Sequence, residues 1–374
     1  MKDSQSLKNS SHAFNTKQKI VVRAPARTCL FGDHQDYMGL PVIACAISRH
    51  ITLNAEQNNR DVFRINLPDI GERREISIDK VKEPIAESDN FSAALKILRS
   101  YGCIPNRGFD VTITGNIPIN AGTSSSSAIV IAWVRFLIDA FGCDAGATAQ
   151  FVSQVAYEAE VVEHGHPGGK MDQYSIGLGN IIFLETGERF DYEVIQKPLP
   201  GLIVGESGIA KKTNETLEEL KKGAWDAIHY LENLYPGFSI KQIEQQQVKR
   251  YLNGLPDLLQ PYFYAAVNNH DLTKRALAEF RKPELDLVEI GILMNEHHNI
   301  LKNILRITLP KIDSMIDGAL KAGAYGAKIV GSGRGGSIVA IAPEDKVEVV
   351  IEGIKRAGGK DAYLVSVDSG ATTL

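Results

Sequence analysis

An α/β fold of the mixed, α+β kind, divided into two lobes, follows from three features of the sequence. Alternating, β-rich runs interrupted by amphipathic helical spacing fill the chain as far as residue 195. Residues 214–322 are almost continuously helical in pattern. Beyond them a Gly-rich strand–loop–strand, 328–341, leads to one more helix and one more strand. A length of 374 residues suits two domains, or three small ones, each able to bury its own core. Composition shifts at Lys197-Pro198-Leu199-Pro200, so the expected domains are 19–197 and 198–374.

Residues 1–18 are polar, rich in Ser, Asn and Lys, and read as a disordered tail without the apolar stretch of a signal peptide. Residues 19–24 and 41–55 read as strands. The loop expected between them, 25–39, concentrates Arg27, Asp33, His34 and Asp36 between glycines. Residues 62–67 and 73–78 read as strands and 91–101 as a helix. The run Phe109-Asp110-Val111-Thr112-Ile113-Thr114 alternates as a half-buried strand does, and Ile129, Trp133, Phe136, Leu137 and Ala140 then share one helical face. A second helix, 147–164, carries Glu160 near its end. His166-Pro167-Gly168-Gly169 turns the chain before a strand at 181–185. In the second half 201–205 is a strand, and the long helical region suits either helices laid over a sheet or a bundle. A helix at 346–357 and a strand at 362–367 complete the pattern.

Hydrophobic residues make up 44% of the chain and charged residues 23%, the balance of a soluble globular protein. The net charge of −4 provides no field to recruit nucleic acid or an anionic membrane. No apolar run approaches the roughly 20 residues that cross a bilayer. Cys29, Cys45, Cys103 and Cys143 show no CxxC spacing, which suits a reducing cytoplasm. His164 and His166 lack a third ligand nearby and read as turn residues.

The stretch richest in chemistry is Pro118-Ile119-Asn120-Ala121-Gly122-Thr123-Ser124-Ser125-Ser126-Ser127-Ala128, which joins a strand to a helix. Small residues there let backbone N–H groups and hydroxyls converge on a ligand, and the unpaired donors of a helix start favour negative charge. An ordinary N-cap needs one Ser, not four in a row. The sequence therefore predicts a phosphate site. Gly331 to Gly336 matches GxGxxG in form, but an apolar strand follows it where a dinucleotide site needs a helix. Gly168-Gly169-Lys170 runs into Met171 and is no P-loop.

Taken together, Pro25 to Gly39, Pro118 to Ala128, Gly169-Lys170-Met171-Asp172-Gln173, Leu293-Met294-Asn295-Glu296-His297 and Lys328 to Ser337 resemble, in order, the motifs of galactokinases and their relatives in the GHMP kinase superfamily. The resemblance covers nearly the whole chain from Lys19. It implies a two-lobed fold, with a ribosomal-S5-domain-2-like N-terminal lobe and a ferredoxin-like C-terminal lobe bearing added helices. It also implies transfer of the ATP γ-phosphoryl group to the anomeric hydroxyl of a small-molecule sugar. By position in the motifs, Asp172 is the expected catalytic carboxylate and Arg27 its partner. Gly122, Thr123, Ser124, Ser125, Ser126, Ser127 and Gly333 would hold ATP; Ser126 and Glu160 would hold Mg2+; and Asp33, His34, Asp36, Tyr37 and Gly39 would hold the sugar. Thr213 is expected to close on nucleotide or substrate.

Several positions depart from the family pattern. Ala26 stands for Gly, Thr123 for Leu, Ser127 for Ala, and Asp33 for a Glu one methylene longer. Arabinose, fucose or a heptose derivative are alternative acceptors. Mevalonate- or homoserine-type kinases, or a sensor without catalysis, are the competing functions. His34-Gln35-Asp36-Tyr37 speaks against the first of these, and retention of Arg27, Ser126, Glu160 and Asp172 against the second.

Overall fold

The computed structural model describes residues 18–79, 84–187, 190–210 and 213–374. The expected tail, save residue 18, and the side chain of Thr213 lie outside that description. The first half contains β1 (Lys19–Phe31), β2 (Val42–Gln57), β3 (Val62–Leu67), β4 (Glu72–Ser77), α1 (Asn90–Arg99), β5 (Phe109–Gly115) and α2 (Ser125–Phe141). It continues with α3 (Ala149–Tyr157), α4 (Met171–Leu178), β6 (Ile181–Glu185) and β7 (Asp191–Ile195). The second half opens with β8 (Leu202–Glu206), α5 (Thr213–Leu234), α6 (Gln245–Gly254), α7 (Gln260–Phe280), α8 (Leu287–Asn303) and α9 (Pro310–Lys321). There follow β9 (Gly326–Ile329), β10 (Ser337–Ile341), α10 (Val347–Arg356), β11 (Asp361–Leu364) and β12 (Thr372–Thr373).

Two sheets organise these elements. The first has the order β12-β1-β2-β5-β3-β4, with β6 and β7 branching from β2. Its long strand β2 serves two partners in succession, β6 through Val42 to Cys45 and β5 through Ile51 to Gln57. Helix α2 packs against β1 and β2. Phe63, Phe109, Trp133 and Phe136 fill the core behind them edge to face, at centroid distances of 5.2–6.1 Å. Helices α1 and α3 start where side chains satisfy the first-turn N–H groups: Asp89 accepts from Ser92 and Thr148 from Phe151. Each such cap stabilises by about 1 kcal/mol.

The second sheet is antiparallel with the order β11-β8-β10-β9. Numbered by sequence within the sheet this is 4-1-3-2, the split βαβ arrangement of a ferredoxin-like unit. Helices α8, α9 and α10 cover it, burying Ile203, Met315, Ile338 and Ile354. The long helical region thus does two things. Its last two helices lie on a sheet, while α5, α6 and α7 build a core of their own that takes in Met38 and Leu40 from the first half.

Three local expectations change. Residues 25–31 are not loop: β1 runs on to Phe31, paired with β2 across register shifts at Pro25/Ala26 and Cys29/Phe31. A proline missing its N–H is tolerated at such a bulge. Arg27 therefore projects from a strand. The helix expected over 147–164 is broken, with α3 ending at Tyr157 and a π-helical turn, Glu158–Val162, following it. The strand β12 was not expected; it adds to the edge of β1 through Val22 and Arg23.

Candidate active site

One guanidinium ties three elements together. Arg27, 4% exposed on β1, donates from Nε and Nη2 to the two carboxylate oxygens of Asp172 at 2.8 Å each, and from Nη1 to the carbonyl oxygen of Gly122 at 2.6 Å. Its backbone N–H reaches the Thr123 carbonyl at 3.3 Å. Burial alone would lower the pKa of Arg27, but the Asp172 carboxylate outweighs it and the pKa is raised. The bidentate geometry is the strong form of a charge-assisted pair. Asp172 itself sits in the first turn of α4.

The serine loop faces this pair. Asn120, Gly122 and Ser124 have φ of 55°, 85° and 59°. Two non-glycine residues in the left-handed region so close together mark a backbone held against its preference. Ser124 takes the N-cap position of α2 without capping it; its hydroxyl donates instead to Asp172 Oδ2 at 2.5 Å. The first-turn N–H groups of α2 are thereby left to a ligand, the arrangement that binds phosphate. From the second lobe, Ser337 Oγ donates to the Ala121 carbonyl at 2.6 Å and fixes the loop from behind.

Glu160 lies in the π-helical turn, a distortion that often serves a functional side chain. Its carboxylate accepts from Gln173 Nε2 at 2.7 Å and from the hydroxyls of Ser127 and Ser126. Burial raises its pKa in spite of these bonds. Asp36 Oδ1 accepts the Tyr37 N–H at 3.0 Å, and the Met171 N–H also reaches this carboxylate. Burial and then the charge of Asp172 push the Asp36 pKa up to about 6. A methyl group at Gly169 would overlap the Asp36 carboxylate, so glycine is what permits the approach. Beside it the Tyr37 hydroxyl meets His34 Nδ1 at 3.3 Å.

Two cavities meet here. One, of about 660 Å³, is walled by Leu67, Ile70, Ile113, Ile117 and Ile129 and edged by Glu206 and Lys360. The other, of about 700 Å³, is polar and holds Arg27, Asp36, Glu160 and Asp172. They share Asn120 and Ser126. An apolar chamber joined to a charged one across the serine loop is a geometry that could bring a nucleotide to a small polar acceptor.

The sequence matches the family profile of the GHMP kinases N terminal domain over residues 89–180, that of the GHMP kinases C terminal over 275–360, and the galactokinase galactose-binding signature over 11–56. The chain belongs to the GHMP kinase family. Among its relatives, the mevalonate kinase of Thermococcus sibiricus is 26% identical over 91% of this chain and 94% of its own length. The galactokinase of Pyrococcus furiosus is 25% identical over 90% and 93%. Of solved structures, Lactococcus lactis galactokinase complexed with galactose superposes with a TM-score of 0.85 at 23% identity, covering 96% of each chain. Methanococcus jannaschii mevalonate kinase gives 0.69 at 19%, over 94% of this chain and 99% of that one. Membership makes the protein a kinase, and ATP the phosphoryl donor expected of it.

Within this GHMP kinase the motif residues differ in what they touch. Arg27, His34, Asp36, Tyr37, Ser126, Ser127, Glu160 and Asp172 all line the polar cavity, and Ser125 and Ser126 line the apolar one. Thr123 is buried, with its carbonyl engaged by Arg27. Asp33, expected at the sugar, borders the polar cavity, yet its carboxylate is fully buried and taken by other groups. Lys328 Nζ donates to Oδ2 at 2.6 Å and the Gly331 N–H to Oδ1 at 2.7 Å. Burial would raise the Asp33 pKa, but Lys328 more than offsets it and holds it at about 2. Gly39 lines a third cavity beyond Tyr37. Gly333, expected at ATP, lines neither chamber: its α-carbon faces Ile307, where an added Cβ would come within 2.7 Å, and Gly336 borders the apolar chamber in its stead.

Sequence reasoning quoted Lys328, Gln173 and Gly336 within motifs but gave them no role, and it did not single out Glu206 or Lys360. For Lys328 a signal was legible, a cation inside the apolar run Ala327-Lys328-Ile329-Val330. Among the described residues no helix is long and apolar enough to cross a membrane, and no group of three or more His, Cys, Asp or Glu is arranged to hold a metal.

Proposed function

We propose that this kinase phosphorylates the anomeric hydroxyl of a galactose-like monosaccharide, with the apolar chamber taking the nucleoside of ATP and the polar one the sugar. The observation that carries this reading is the Arg27–Asp172 pair facing the shared wall of the two chambers at Ser126. The Asp172 carboxylate accepts the proton of the attacking hydroxyl as its oxygen bonds to the γ-phosphorus and the bond to the ADP oxygen breaks. Arg27, charged at any accessible pH, keeps that carboxylate ionised and oriented. Ser124, donating to Asp172 Oδ2, fixes the rotamer from the other side. Backbone N–H groups from Gly122 to Ser127 bind the phosphates.

Magnesium asks for hard oxygen ligands and retains several waters, so one or two protein oxygens suffice. The Ser126 hydroxyl and Glu160 carboxylate, neighbours on the wall of the polar chamber, fit that demand. When bound there, Mg2+ would neutralise charge on the β- and γ-phosphates.

Asp36, His34 and Tyr37 support a polyhydroxylated acceptor. A buried carboxylate satisfied by hydroxyl donors discriminates steeply, because a missing hydroxyl leaves it unpaired. The mevalonate kinase relatives favour a second reading, with mevalonate as acceptor. Asp36 counts against it, since the carboxylate of mevalonate would be repelled by a second one in a low-dielectric chamber. We take residues 19–197 and 198–374 as the two domains.

ATP consumption measured across galactose, arabinose, fucose, a heptose, mevalonate and homoserine, with NMR assignment of the product, tests the reading. A sugar 1-phosphate is expected. Asp172→Asn should lower kcat by a factor on the order of 10²–10⁴. Preference for mevalonate, or comparable turnover by the variant, would refute the assignment.

A further inference from the structure

The polar chamber does not end at Asp36. Asp36, Tyr37, Gly168 and Gly169 also border the third cavity, of about 1010 Å³, which opens between α5 and the end of β6. If the acceptor's anomeric hydroxyl faces Asp172, the opposite edge of its ring faces this second space. A chamber of about 700 Å³ already accommodates one monosaccharide within the usual range of ligand sites, so the additional volume is more than a single ring requires.

The chemistry of the walls points to what fills it. Trp225 is held rigid, its indole N–H donating to the Tyr37 carbonyl at 3.3 Å, and presents an aromatic face. Tyr157 lines the cavity too, its ring engaged by the Lys170 ammonium, which lies 5.3 Å from its centroid and 4.5 Å from that of Phe190. Lys170, Lys221 and Lys241 border the cavity, and none forms an ion pair with a described residue. Glu185, Asp191 and Glu232 border it too, and none of them forms an ion pair with a described residue. Ammonium and carboxylate groups thus both border the cavity beside its aromatic side chains. An anionic ligand would satisfy the lysines and leave the carboxylates opposed; a cationic one would do the reverse. Hydroxyls donate and accept, so a neutral polyhydroxylated ring meets both sets, with its C–H face on Trp225.

We propose that this cavity is a distal subsite for a second sugar ring, making the enzyme's preferred acceptor a reducing disaccharide linked through the edge away from the anomeric hydroxyl. The inference rests on the sugar 1-kinase reading and extends it. Such a substrate would come from glycosidic cleavage of a longer glycan.

The test compares phosphoryl transfer to galactose, to 1→3- and 1→4-linked galactobiose, to galacturonic acid and to galactose 6-phosphate. It uses the full chain, Ser239→Trp and Lys241→Met. Ser239 lines this cavity, half-buried, and does not border the polar chamber that holds Asp172, so tryptophan there fills the space away from the reacting groups. For the unaltered enzyme, kcat/KM on one galactobiose should exceed that on galactose at least tenfold. Ser239→Trp should erase the difference and leave galactose within about twofold, and Lys241→Met should reduce the difference several-fold. Galactobioses no better than galactose, or a preference unchanged by both variants, would overturn the subsite while leaving a sugar kinase. Preference for galacturonic acid or galactose 6-phosphate would overturn it in favour of an anion site. Turnover of none of these sugars, nor of arabinose, fucose or a heptose, would remove the sugar-kinase reading and the subsite together; turnover of one of those three alone would overturn the galactobiose subsite and leave a sugar kinase.

Discussion

Replacing Lys328 by methionine isolates the contact that joins β9 to the loop after β1. Lys328 and Asp33 are both 0% exposed, and the ammonium lies 2.6 Å from Asp33 Oδ2 and 3.0 Å from the Cys29 carbonyl. Methionine keeps the length and removes the charge, leaving a buried carboxylate that has lost its cation and keeps the Gly331 N–H. Breaking one side of a buried pair costs about 3–5 kcal/mol. Part of that is visible in the titration of Asp33. Its carboxyl moves from an ordinary 3.8 down to about 2 on folding. A depressed acid pKa contributes stability that is present above the unfolded value and disappears as pH falls through the folded one. At 1.36 kcal/mol per pKa unit this is roughly 2 kcal/mol, lost between about pH 4 and pH 2. Urea unfolding at pH 7.5 should therefore show Lys328→Met destabilised by about 3–5 kcal/mol. Asp33→Asn/Lys328→Met should lose less than Lys328→Met alone, because no charge is then stranded. A loss below about 1 kcal/mol for the single variant, or a double variant as unstable as the sum of its parts, would refute the account.

Other consequences are testable by similar means. Asp36, at about 6, binds a proton in the folded state that the unfolded chain has already released, so it favours the fold at low pH and becomes a full acceptor only above about pH 6. KM for the acceptor should rise as pH falls below 6, and Asp36→Asn should flatten that dependence; an unchanged profile would remove Asp36 from the acceptor site. Gly169→Ala should displace Asp36 and raise the acceptor KM at least tenfold with little effect on the KM for ATP, as initial-rate kinetics would show; equal effects on both would contradict the geometry. Glu160→Gln keeps the buried shape but loses the charge. It should raise the Mg2+ concentration for half-maximal rate about tenfold, the size of effect that ligand-sphere changes bring. Titration of magnesium back after chelation measures this directly.

Much of the fold could be read from the chain because periodicity reports burial. The strand at Val62–Leu67, the strand-to-helix passage around Phe109 and Trp133, and the β9–β10 hairpin each show the period that their burial requires. What escaped was set by tertiary pairing. Pro25 and the charge of Arg27 made the end of β1 look like loop, and only the partner strand β2 carries it on. The π-helical turn at Glu158 leaves no mark in periodicity, because one inserted residue lies within the noise of helical spacing. The same limit governed the site. Residue types pointed to the serine loop, and the motif resemblance to Asp172 and Arg27, but neither foretold that Ser124 would bond Asp172 in place of capping α2. Asp33 was legible as a carboxylate in the right loop. Its engagement depends on Lys328, 295 positions away, and nothing local reveals that.

The pairing of β12 with β1 has a bearing on how the molecule is made. Val22 and Arg23 find their outer neighbours in Thr373 and Thr372, which leave the ribosome almost a full chain length after them. Until then that flank of the nascent sheet displays bare amide and carbonyl groups, the kind of border on which neighbouring chains nucleate aggregates. Biosynthesis therefore exposes the enzyme's oldest strand for longest, and whatever shields it during translation bears on the yield of native protein.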